Sequence, residues 1–391
     1  MEMSMPVSRR ALFYSIGGAS VVLAGAGGFF VATRTPYRAI QPWKDIETAP
    51  PEDVRLDAFR HAILAPNPHN RQPWRIRLIG DSQAVIFCDL DKRLPQTDAF
   101  DRQILIGFGC FLEIARIAAA ERGVRMDIDP FPEGAPGQRL DARPIATLRF
   151  IKDATVRKDP LFRYIATRRS NKRPYDVTRP VDQKALAALT AANEGKSGLQ
   201  IVATKGDKIV ESLRALSWDA WKIEFETRHT WQETVDLMRI GKSEIEANPD
   251  AVSVGGAFLD MMALTGQLTR EKMATPGSIA HNSAIDRYKS TLASGMAYSW
   301  IITDTNTRQD QLNAGQAWVR INLEATRQNL GFHPISQALQ EYKEMRAEYA
   351  KVHKMLGADS GQQVQMLVRL GYGDVITATL RWPLRDKLIG T

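Results

Sequence analysis

The stretch from Arg102 to Arg122 constrains the fold more than any other. Ile104, Leu105, Phe108, Phe111, Leu112 and Ile114 leave little of a helix circumference polar, and Gly123 supplies the stop. A helix that is apolar nearly all round must be enclosed by other elements. The chain can supply them: 391 residues, 44% hydrophobic and 25% charged, are enough for a large core and about two domain-sized units.

Strand and helix patterns on either side give two α+β units in tandem. Glu52–Leu64 reads as a helix stopped by Pro66 and Pro68, and Trp74–Ile79 and Ala84–Asp89 as a hairpin about Gly80-Asp81-Ser82. Met126–Ile128 and Ile145–Ile151 supply further strands, closing a first half over 52–155. A second half, 156–391, opens with helices at Pro160–Arg168 and Val181–Ala192, strand Leu199–Ala203 and helix Lys208–Phe225. It closes with strand Met296–Thr303, helix Gln309–Leu330 stopped by Gly331, and strand Gln365–Leu370. Between them, residues 227–276 are helical and irregular, rich in Met and aromatic residues, and form a candidate lid; Met238, Phe258, Met261, Met262 and Met273 read as core filling.

The front of the chain carries an address. Ser8-Arg9-Arg10-Ala11-Leu12-Phe13 precedes an uncharged, glycine-rich run to Ala32, the pattern of a twin-arginine export signal over 1–32. The run is also long enough to span a bilayer, so it is either removed or kept as a membrane anchor. Residues 33–51, with Pro36, Pro42, Pro50 and Pro51, read as a linker or extended arm. The expected location is therefore periplasmic or otherwise extracytoplasmic.

Two segments carry chemistry. Pro66-Asn67-Pro68-His69-Asn70-Arg71-Gln72-Pro73 joins a helix to a strand, its prolines stiffening a turn in which Asn and Gln amides both donate and accept. Such a turn can hold a planar polar heterocycle, or its amides can serve its own backbone. Arg168-Arg169-Ser170-Asn171-Lys172-Arg173 follows a helix and can clamp a phosphate, each charge-assisted bond contributing about 1.5–3 kcal/mol where water is partly excluded.

Together these segments resemble the nitroreductase-like flavoprotein superfamily, most closely its fused, Acg-like branch, from about residue 52 onward. The resemblance implies the nitroreductase-like α+β fold, with the two halves forming an intramolecular pseudo-dimer and the chain a monomer. It implies one FMN, its ring near Pro66, Asn67, Asn70 and Gln72, and its phosphate held by Arg168, Ser170 and Lys172. Ser336 and Arg381 are additional candidates, and Asp101-Arg102, Gly107-Phe108-Gly109-Cys110 and Leu370-Gly371-Tyr372-Gly373 also fit the family pattern. Asn67 stands where the family usually has Ser. Ala188–Glu194 falls where the first half has Ala62–Pro68, but Gly195-Lys196-Ser197-Gly198 lacks the amide loop, so one complete site is expected.

The implied activity is ping-pong transfer from a small-molecule donor, NAD(P)H or a quinol, to nitroaromatic or quinone-type acceptors, with no side-chain acid or base required. The alternative is an exported flavin-sequestering protein whose lid prevents efficient turnover. Other chemistries lack their residues. With only Cys88 and Cys110, neither a four-thiolate zinc site nor a cysteine-ligated iron–sulfur cluster can form from this chain. His-Glu-x-x-His, Gly-x-Ser-x-Gly and P-loop patterns do not occur. The formal charge of +8 suits anionic partners, but no nucleic-acid module accompanies it.

Overall fold

The computed structural model describes Phe30 and residues 33–390, so the export signal expected over 1–32 lies, Phe30 apart, outside the described residues. Helices α1 (Tyr37–Asp45) and α2 (Val54–Ala62) lead into strands β1 (Trp74–Ile79) and β2 (Gln83–Cys88), helix α3 (Arg102–Glu121) and strands β3 (Val124–Pro130) and β4 (Ala146–Lys152). A second unit starts with α4 (Gln183–Ala191) and β5 (Leu199–Thr204). An insertion follows: α5 (Asp207–Glu226), α6 (Arg228–Asp236), β6 (Met238–Ile240), α7 (Gly241–Ala247), β7 (Val252–Val254), α8 (Ala257–Leu264), α9 (Arg270–Ala274) and α10 (Ile279–Ala293). The unit resumes with β8 (Ala297–Thr303), α11 (Arg308–Arg327), β9 (Gly331–Pro334), α12 (Arg346–Met355) and β10 (Gln363–Gly371).

The fold is α+β, and the two units repeat one topology. The sheets run β1-β2-β4-β3 and β5-β8-β10-β9, each placing its strands in the order first, second, fourth, third, with every pairing antiparallel. The long helices α3 and α11 cross at the centre with backbones in contact. A Cβ on Gly109 would stand 2.2 Å from the Leu312 carbonyl oxygen, and one on Gly315 would stand 2.0 Å from that of Ile106. Only glycine permits such an approach.

Each helix also begins with an arginine that reaches into the opposite unit. Arg102 donates to the carbonyls of Gln365 and Leu339, while Arg308 donates to those of Gly137 and Phe100. The halves are thus joined by buried polar contacts as well as by a shared core containing Phe108, Phe111, Leu312 and Trp318.

The sheets differ in cover. β1 alternates buried and exposed positions at its start, as a strand with one wet face does, whereas β8 and β10 are buried throughout. In β8, Ala297 and Ile301 face the central helices, while Tyr298, Trp300 and Ile302 pack with Leu213, Trp221 and Met345 on the other side. The insertion supplies much of that second cover.

Several expectations are corrected. The insertion extends from 205 to 296, well beyond 227–276, because α5 and α10 belong to it. The linker read over 33–51 contains α1, with Pro42 inside and Ala39, Pro42 and Trp43 buried. The helix expected at Pro160–Arg168 is only a 3-10 turn at Phe162–Tyr164. Phe258 and Met261 are exposed rather than core, whereas Met238 and Met273 are buried beside Val235. Cys88 and Cys110 are both free, buried thiols.

Candidate functional site

The loop after α2 is built under strain. His69, Asn70 and Gln72 all have positive φ, at 46°, 52° and 50°, a region that asparagine and histidine enter more readily than most residues and that glutamine rarely adopts. The loop's own amides hold it there. Asn67 donates to the Ala65 carbonyl and accepts from the Gln72 backbone at 2.7 Å. Gln72 is fully buried, its Nε2 donating to the Pro249 carbonyl and its Oε1 accepting from the Trp382 backbone, both at 2.9 Å. Asn70 donates to the Leu380 carbonyl and accepts from Arg381. Lys387, also buried, donates to the Gln72 carbonyl at 2.7 Å. These amides therefore fix the backbone around Pro66, and α3 closes on it at Gly107, where a Cβ would come within 3.1 Å of Asn67 Cβ.

Beside this loop stand three guanidiniums with no carboxylate partner among the described residues. Arg168 and Arg381 are each 2% exposed and both donate to the Leu64 carbonyl, at 2.9 and 3.0 Å. Arg168 also donates to Asn322 Oδ1, and Arg381 to the Ala65 carbonyl. Arg169 follows, half-buried, with the Trp43 ring 4.5 Å from its guanidinium carbon and 5.4 Å from that of Arg381. The Nε atoms of all three arginines are buried without an acceptor. Burial, then the charge of Arg169, brings Arg168 down to about 10, and burial with the charges of Arg168 and Arg169 holds Arg381 well below its ordinary value. Like charges gathered out of water without a counter-ion are costly, and an anion relieves that cost.

Ser170 is half-buried next to Arg169, and Ser336 is half-buried at the start of the turn Gln337–Leu339. Lys172 is exposed, yet its charge reaches three groups from different elements. Enclosure, then Lys172 and Arg71, lowers His69 to about 4; burial, then Arg369 and Lys172, lowers His333 well below its ordinary value. Glu224 of α5 is pushed up to about 7 by burial, against the nearby amides of Gln337 and Gln340 and the charge of Lys172. Lys172 thus faces ground shared by the strained loop, β9 and α5. Gly371 and Gly373, part of the family-like pattern, serve another end: with Gly331 they receive the ring of Tyr175, which would stand 2.5 Å from a Cβ at Gly331 or Gly371.

The insertion is fastened over the loop. Pro249 and Ala251 bond Gln72 and Asn70, and Thr234 of α6 lies 3.5 Å from His69 Nε2. Fully buried Asp250 pairs with Lys92 at 2.5 Å and with Arg239 at 2.9 Å, with Arg71 at 3.9 Å. Glu233 accepts from the backbone of Gln96 and from both the backbone and hydroxyl of Thr97. Trp43, Asp250 and Glu224 were not foreseen from the sequence. Trp43 lies in a stretch whose prolines masked its helix, and the acids had no patterned partner nearby.

In the second unit, the link 192–198 takes the place of the strained loop. Its Asn193 donates to the Ala317 carbonyl, and Lys196 lies 4.0 Å from Glu113. Against the cost of burial, Arg116, Lys196 and Arg320 hold Glu113 at about 2, so the cations there already have their anion. No cluster like that of Arg168, Arg169 and Arg381 recurs there among the described residues.

No family model matches the chain. A Mycobacterium tuberculosis protein provisionally named NAD(P)H nitroreductase Rv3131 is 26% identical over 318 residues, covering 80% of this chain and 83% of its own length. Over most of its length this chain is thus similar to a protein of that name. A second protein of that organism, provisionally named NAD(P)H nitroreductase Acg, is 38% identical over 80 residues, 20% of this chain and 24% of its own. Among solved structures, the FMN and NADPH-dependent nitroreductase NfnB from Sphigopyxis sp. strain HMH aligns over 58% of this chain and 97% of its own, at 16% identity and a TM-score of 0.36, too slight to argue from.

Proposed function

We propose that this chain is an FMN-dependent oxidoreductase that holds one flavin between its two units. The observation that carries the reading is the acid-free group of Arg168, Arg169 and Arg381, each with an orphaned buried Nε, at the foot of a strained loop. A phosphate monoester supplies the missing counter-charge and acceptors in one group. Arg168, Arg169 and Arg381, with Ser170, would hold it, and Lys172 would lie toward the ring. Names of relatives such as NAD(P)H nitroreductase support the same class.

FMN, when bound, supplies the hydride and electron chemistry. The chain's part is positioning. Gln72, Asn70 and Arg381 fix the loop, so that its backbone is organised before a ligand arrives. His69, held neutral at physiological pH, adds no charge there, whereas Lys172 presents a cation beside the loop. The donor is a nicotinamide nucleotide or, for an exported protein, a quinol; the acceptor is a nitroaromatic or quinone.

Anaerobic titration of the purified protein with NADPH tests this reading. A flavin absorption band that bleaches is expected, with about one FMN per chain. No band in folded, FMN-supplemented protein, or two FMN per chain, would overturn it.

The fastened insertion favours a second reading, in which the flavin is sequestered. Asp250→Asn tests it by releasing the cover. A buried charge with several cationic partners contributes about 3 kcal/mol, so hydrogen exchange across 241–277 should quicken by roughly a hundredfold. The hydrogen bond and charge of Lys92, with Arg239, outweigh burial and hold the Asp250 carboxyl below its ordinary value. The fastening is therefore complete above the usual carboxylate pKa and is lost as pH falls through the lower folded value. If NADPH bleaches the flavin of Asp250→Asn and leaves that of the parent oxidised, the insertion is a cover; equal rates make it a gate.

A further inference from the structure

Helix α8 is the most apolar surface element of the insertion, with the sequence Ala-Phe-Leu-Asp-Met-Met-Ala-Leu. Its only charged residue, Asp260, is 3% exposed and turned inward, while Phe258, Met261 and Leu264 are 69%, 52% and 73% exposed. These three lie three residues apart and so form one stripe on the outer face. Soluble proteins seldom concentrate large apolar side chains in this way without a partner.

The chain's own N-terminal segment arrives at this helix. Arg34 reaches Asp260 at 3.9 Å, and Lys242, at the start of α7, donates to the Thr33 carbonyl at 2.8 Å. Glu246 of the same helix accepts from the Arg38 backbone. Thr33 and Arg34 are thereby fixed at the root of α8, and the residues just before them complete the uncharged run Ala11–Ala32.

We propose that the outer face of α8 lies in the interfacial layer of a phospholipid bilayer, next to the point where segment 11–32 leaves it. A short apolar helix lying in the membrane plane, with cations at its margin, matches an interfacial docking element. Arg34 and Lys242 supply that cationic margin while tying the segment to the helix. The proposal rests on retention of segment 11–32 and not on the flavin reading.

The test uses the full chain, including residues 1–32, in phosphatidylethanolamine/phosphatidylglycerol vesicles. Met261→Cys carries a nitroxide, with Val375→Cys, 96% exposed, as reference; Cys88 and Cys110 are buried. Relative to position 375, the label at 261 should show at least about a fivefold higher ratio of accessibility to oxygen over that to a water-soluble nickel complex. Equal, aqueous ratios in vesicle-bound protein would overturn the proposal. So would a label already shielded before vesicles are added, which would place segment 11–32 on α8, or spin–spin broadening, which would place a second copy there.

Discussion

Gly315→Ala is expected to lower the melting temperature by about 5 °C, a loss of about 4 kcal/mol. The sign is the informative part, since alanine is favoured over glycine inside a helix by about 1 kcal/mol. Here the added methyl meets backbone: Ile106 oxygen at 2.0 Å and Gly109 Cα at 2.8 Å, neither of which can rotate away. Relief requires α3 and α11 to separate, which loosens the core on both sides and strains the arginines that each helix sends across. Gly315→Val should not accumulate as folded protein. Gln316→Ala, one residue further along, is the control and should melt with the parent; thermal unfolding followed by circular dichroism reads all three.

The second large effect falls on the cofactor. Arg168→Gln and Arg381→Gln should each raise the FMN dissociation constant by about a hundredfold, the equivalent of about one strong charge-assisted bond lost. Both arginines also hold Leu64 and Ala65 carbonyls, so part of any loss could come from a loosened loop. Riboflavin separates the two causes, because it shares the ring and lacks the phosphate. If the arginines hold phosphate, the preference for FMN over riboflavin collapses in both variants. If the preference survives while both ligands bind more weakly, the arginines only support the loop.

Much of this fold was legible because its elements are strongly patterned. The all-round apolarity of 102–122 announced a buried helix, and Asp207–Glu226 and Arg308–Arg327 emerged close to their expected bounds. The arm before α2 was not legible: four prolines argued for an extended chain, yet Pro42 fits within α1, and packing of Ala39 and Trp43 outweighs local preference. Nor was the extent of the insertion, since α5 and α10 look like ordinary helices until β5 is seen to pair with β8.

At the site, the amide-rich loop and the arginine run could be picked out, because each concentrates unusual residue types within a few positions. What the amides do could not. Gln72 and Asn70 bond to residues 249, 380 and 382, and no local pattern reports a partner so far along the chain. Trp43 stacking on Arg169 and Arg381 is invisible for the same reason.

That distance sets an order of events during synthesis. Gln72 and the Trp382 backbone that completes its bonding are 310 residues apart. At ordinary translation rates the loop waits about 15–60 s for its supports. Through that interval three left-handed residues have nothing from 380–387 to hold them, and Arg381 has not yet joined Arg168 beside Leu64. A ribosome-bound chain therefore has no finished loop and arginine cluster to offer, and capture of the proposed FMN belongs to the period after residues 380–387 have emerged and folded back.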